Sequence, residues 1–149
     1  MVRYILTLLI LLAGITVNAT DYYIKTDGVD DAGRTGAIGQ EWKTLAYACG
    51  RVAAGAHTIH VAAGTYNEPT KCELKAGVSI VGAGATSVIT TSEARNPLIE
   101  LASATEGTDG NQSISYLKFD GTLNALMGIW VWRRNNVEIH HCTFEDFVS

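Results

Sequence analysis

Cysteine is scarce in this chain. Cys49, Cys72 and Cys142 are too few and too widely spaced for a disulfide framework or a zinc site. Three small buried hydrophobes is the favoured reading. Export would permit a bridge, and Cys49 with Cys72 is the first pair to test. Basic residues are short as well, eleven Lys and Arg against fifteen Asp and Glu, for a formal charge of −4. That balance argues against nucleic acid as a partner, because phosphate binding wants a basic face. It also weighs against polyanionic glycans unless a calcium ion bridges acid to acid. The Gly-rich run at Gly82 to Ala85 has neither the Lys nor the following helix of a nucleotide loop. Asp27, Asp30 and Asp31 lack the spacing and terminal Glu of an EF-hand, so a solvated loop is favoured over a calcium site there.

What is present begins with a leader. Arg3 precedes the apolar run YILTLLILLAGITV, and Val17-Asn18-Ala19 follows with small residues at the two positions a signal peptidase reads. Residues 1–19 are therefore expected to be a signal peptide, and the run is too short for a membrane anchor with polar flanks. Its removal leaves ten basic residues against fifteen acidic ones, and predicts a secreted, periplasmic or cell-surface protein with no membrane insertion.

Residues 20–56 read as a short strand (Tyr22 to Lys25), a Gly- and Asp-rich loop, and one helix over Thr44 to Ala54 ended by Gly55. Leu45, Ala48, Cys49, Val52 and Ala53 form its apolar stripe. From 57 to 149 the texture is short β-type runs punctuated by Gly, Asn and Pro. Two of these runs are nearly the same. NQSISYLKFDG (Asn111 to Gly121) and NVEIHHCTFED (Asn136 to Asp146) superpose Asn111 on Asn136, Ile114 on Ile139 and Phe119 on Phe144, with polar on polar between them. A fixed long period of this kind marks a stacked repeat. With about three short strands per repeat, the chain returns to one face after each lap and forms parallel ladders. Ile114 over Ile139 and Phe119 over Phe144 are the expected inward stacks, and Asn111 over Asn136 a ladder at a sharp turn.

The order WKTLAYA, HTIHVAAGTYNEP, LKAGVSIVGAG, then SISYLKFDG and NVEIHHCTF resembles the beginning of right-handed parallel β-helix proteins of the pectate-lyase-like superfamily. The resemblance implies an all-β solenoid of about three rungs, closed at its first coil by an amphipathic helix that protects open strand edges. It implies a chain truncated at the C-terminal end, with catalytic rungs beyond residue 149 and a fragment inactive by itself. It also implies a protein that binds or degrades polysaccharide, as a lyase or glycoside hydrolase. The alternative is a non-catalytic surface or adhesin module bearing the same coil. Calcium is the one cofactor the family suggests.

Candidate site residues follow from period-2 alternation. Ile129 and Val131 inward send Trp130 and Trp132 outward, where two indoles would stack sugar rings of a polysaccharide or cell-surface glycan; packing under a loop is the other reading. Arg133 and Arg134 follow and could clamp a carboxylate. On another outer face Lys118, Asp120 and Glu145 have the types that proton abstraction or glycoside hydrolysis requires, although a solvated strand face shows the same letters. His140 and His141, without a third ligand, read as a polar turn, and no metal centre is expected.

Overall fold

The computed structural model describes residues 19–148. The expected leader therefore lies, except for Ala19, outside the described residues. In the described part the chain is predominantly β, with parallel sheets and one short helix. Its elements are β1 (Thr20–Ile24), α1 (Leu45–Arg51), β2 (His57–Val61), β3 (Gly64–Asn67), β4 (Cys72–Glu73), β5 (Val78–Gly82), β6 (Ser87–Thr90), β7 (Ile99–Ala102), β8 (Thr108–Ser115), β9 (Lys118–Asp120), β10 (Ile129–Trp132), β11 (Arg134–His140) and β12 (Thr143–Glu145).

The strands are dealt in rotation to three sheets, ordered β1-β2-β5-β8-β11, β3-β6-β9-β12 and β4-β7-β10. Every strand pairing is parallel. The register lays like on like. Tyr22, Ile59, Ile80, Ile114 and Ile139 form one column, Tyr66, Ile89, Phe119 and Phe144 a second, and Cys72, Ile99 and Ile129 a third. The core lies between the three sheets, because alternation turns every second residue of each strand toward the others. The repeat expected from the two similar runs is present at an offset of 25, and Asn136 Nδ2 donates to Asn111 Oδ1 across it at 2.5 Å.

Left-handed residues stand where the chain passes from one sheet to the next after β8 and β11: Tyr116 and its equivalent His141 have φ of 56° and 54°. Asn111 and Asn136, with φ of 46° and 49°, lie instead inside β8 and β11, where the register shifts beside Asn136, so the ladder expected at a sharp turn between strands is corrected to one at a bulge within them. This region is costly for residues other than Gly and Asn, and it is tolerated here because successive laps stack. Tyr116 lies flat on His141, with ring centroids 4.7 Å apart. Backbones also approach closely at the corner after β5, where a Cβ on Gly82 would lie 2.2 Å from the Tyr116 carbonyl oxygen.

The helix is shorter than the expected 44–54. Thr44 caps it by accepting from Tyr47 N at 3.2 Å, and Leu45, Ala48 and Cys49 are its buried face. Val52 already has extended backbone and buries its side chain, which turns the chain off the helix axis and leaves Ala53 exposed. A disulfide joins Cys49 of α1 to Cys72 of β4, so the reading of these two as free buried hydrophobes is corrected; Cys142 remains a thiol. Helix and strand bring the two residues face to face, with Cα atoms 5.7 Å apart, inside the range a bridge requires.

One inward expectation holds only in part. Ile114 and Phe119 are wholly buried, whereas Ile139 and Phe144 are 42% and 46% exposed although they occupy the same columns. Among the described residues no strand pairs with the outer edges of β10, β11 and β12.

Candidate functional site

On β4, β7 and β10 the inward column Cys72, Ile99, Ile129 alternates with an outward row, Glu73, Glu100, Trp130. Two residues further along, Ala102 and Trp132 share the same outer face. Both indoles therefore project from one strand to one side, 39% and 47% exposed, with centroids 5.8 Å apart and planes inclined at 42°. Arg133 carries its guanidinium over the Trp132 ring at 5.4 Å. It is steadied there by donation to the Ala104 carbonyl at 3.0 Å and by Glu106 at 3.6 Å. A cation over an indole face is an attractive arrangement, and Trp132 nonetheless remains the more exposed of the two rings.

Arg134 does not join this face. Its guanidinium turns back to donate to the Leu74 and Ala102 carbonyls, Ser103 Oγ and Gln112 Oε1. The expectation of a two-arginine carboxylate clamp is thus corrected. Arg134 closes backbone carbonyls of earlier laps, where its planar fork satisfies several acceptors at once.

Lys118, Asp120 and Glu145 meet on the outer face of the four-stranded sheet, since Glu145 pairs in register with Asp120 and Thr143 with Lys118. Lys118 forms an ion pair with Glu145. That hydrogen bond, with the neighbouring Asp120 and Asp146, raises the lysine pKa. A lysine acting as base needs the opposite shift, so Lys118 is held here as a cation. Oxygens of Asp120, Glu145 and Asp146 lie within 4.8 Å of one another. Calcium takes roughly six to eight oxygens. Three carboxylates, two of them on half-buried residues and one already held by an ammonium, do not supply that set. His140 and His141 form a corner with Nδ1 atoms 2.7 Å apart, braced by Tyr116. They have no third ligand among the described residues.

Two constellations escaped sequence reading. The first surrounds Glu68, buried beneath the start of α1. Its carboxylate accepts from Leu45 N at 2.8 Å and Ala46 N at 2.7 Å, so the free amides of the helix are satisfied from outside the helix. Asp30, one of the three loop aspartates, accepts from Lys43 N, Thr44 N and Thr44 Oγ1. Burial pushes the Glu68 carboxyl up to about 7, against the two backbone bonds that pull it down. The second is a cleft of about 600 Å³ between α1, β4 and the segment before β7. Lys71, Glu73, Lys75 and Arg95 line it. Lys71, Glu73 and Lys75 alternate with the buried Cys72 and Leu74 and so share one strand face, a period of two that the sequence displays, whereas nothing in the sequence adds Arg95 to them.

In comparisons with protein-family models, curated proteins and solved structures, nothing matches this chain.

Proposed function

We propose that the chain winds as a right-handed parallel β-helix of the pectate-lyase-like kind, with α1 closing its first lap. We further propose that it is an exported protein which binds polysaccharide across the outer face of β10. The winding is supported by the rotation of strands through three parallel sheets and by the columns of like residues. The binding role rests on one observation, the adjacent outward indoles of Trp130 and Trp132. Large apolar rings cost free energy in water, and the faces of sugar rings, rich in C–H, are suited to cover them.

The test is affinity electrophoresis and intrinsic fluorescence titration against a panel of neutral and uronate polysaccharides. Retardation by at least one glycan is expected. Trp130→Ala with Trp132→Ala should weaken it by about tenfold or more, the loss of one stacking contact of ~1.4 kcal/mol, without lowering the melting temperature. A protein that no glycan retards, or whose double variant binds equally well, has another function.

A second reading, cleavage of the glycan, is favoured by the carboxylates of Asp120, Glu145 and Asp146 within 4.8 Å. That is near the separation of roughly 5 Å used by retaining glycosidases. Release of reducing ends, abolished by Glu145→Gln, would establish it; release of unsaturated uronides would point to a lyase.

A further inference from the structure

The cleft beside α1 opens on the same outer face as the indoles, with Glu73 two strands from Trp130, but neither indole lines it. Its walls are the Ala46 to Gly50 side of the helix, the Lys71 to Lys75 stretch through β4, and Ala94 to Pro97. Three cations and one carboxylate reach it, and their positions are unequal. Lys71 is already committed, to Glu100 Oε2 at 2.7 Å and to Glu73 Oε1 at 3.3 Å. Lys75 makes no ion pair among the described residues. Arg95 likewise has no carboxylate within ion-pairing distance; its Nη2 donates to the Pro69 carbonyl, and its Nε is buried without an acceptor.

Arginine is a fixed fork of five donors, and a guanidinium that spends one on a carbonyl and buries another unpaired is under-satisfied. The charge of Arg95 is felt by Glu68, but the two make no hydrogen bond. The walls of the cleft include Ala46, Ala94 and Pro97, apolar surfaces that lower the local dielectric and strengthen a charge pair. One cation fork, one free ammonium and apolar sides form the kind of setting in which a planar or tetrahedral oxyanion is held by several charge-assisted bonds.

We propose that this cleft binds an oxyanion, with Arg95 and Lys75 as its two anchors and Glu73 opposing it. The chemistry is shared by a free small anion and by an anionic group carried on a bound glycan. The site therefore stands whether or not the indole face binds sugar.

The experiment uses the full chain and follows melting temperature and calorimetry with inorganic phosphate, sulfate and citrate, each against sodium chloride at matched ionic strength. Saturable binding of at least one oxyanion is expected. Arg95→Gln and Lys75→Gln should each weaken it by about tenfold or more, the loss of one charge-assisted bond. Glu73→Gln should strengthen it severalfold, because it removes the opposing charge, and this gain cannot come from misfolding. The Trp130→Ala and Trp132→Ala protein should bind the anion as the parent does. If that protein also loses the anion, the cleft is not independent of the platform. A response no greater than that to chloride, or one that Arg95→Gln, Lys75→Gln and Glu73→Gln leave unchanged, overturns the proposal. An anionic and a neutral oligosaccharide of equal length distinguish the sources: tighter binding of the anionic one, lost in Lys75→Gln, assigns the group to the glycan, and equal binding assigns the cleft to a free anion.

Discussion

Glu68 shows how one residue can link distant parts of this chain. It follows β3 in sequence, yet its carboxylate serves the first two amides of α1. Its pKa near 7, raised from 4.5 chiefly by burial, makes folding depend on pH. The sign follows from proton linkage: a carboxyl that holds its proton more tightly when folded stabilises fully below its unfolded pKa, and that contribution is lost as pH rises through the folded value. Stability should therefore fall between pH 4.5 and 7 by on the order of 2–3 kcal/mol. Urea midpoints measured across this window should show the slope, and Glu68→Gln should flatten it. A parent slope equal to that of Glu68→Gln would contradict this account of the site. Nothing in the letters GTYNEP separates this glutamate from a solvated one, because its burial is created by the helix above it.

Among elements, α1 is the one most in need of external support. Seven residues are too short to be stable alone in water, since helix nucleation is costly. Asp30, Glu68, the Thr44 cap and the bridge to β4 fasten it from four directions. Removing the bridge with Cys49→Ala and Cys72→Ala should cost about 3 kcal/mol, as expected from opening a loop with ends 23 residues apart. Chemical denaturation of the double variant measures it, and a loss under about 1 kcal/mol would mean that the packing of Leu45 and Ala48 already fixes the helix. The helix itself was legible from its apolar stripe. Its end was not, because Val52 continues the stripe in sequence while its backbone has already left the helix.

At the scale of the molecule, stability should be graded along the stack. Each lap buries the apolar side chains of its neighbours, so middle laps gain contacts on two sides and the lap of β10, β11 and β12 on one. Hydrogen exchange should find the strongest protection in β5 and β8 and markedly faster exchange in β11 and β12. Uniform protection would show that the laps open together. The exposure of Ile139 and Phe144 beside the burial of Ile114 and Phe119 is the structural sign of that gradient.

The sequence settled one register, that of β11 and β12 on β8 and β9: Asn, Ile and Phe repeated at one offset state which residues lie above which, since a parallel ladder shifts only at the cost of turning apolar faces outward. It also determined that Trp130 and Trp132 share a side, because alternation along a strand is local geometry. Packing between segments was needed to bring Cys49 to Cys72, to turn Arg134 inward while Arg133 stays out, and to set Arg95 beside Lys71 and Lys75 in one cleft. These depend on how far one lap's corner lies from another's, and corner geometry is set by packing between segments that no short window of sequence contains.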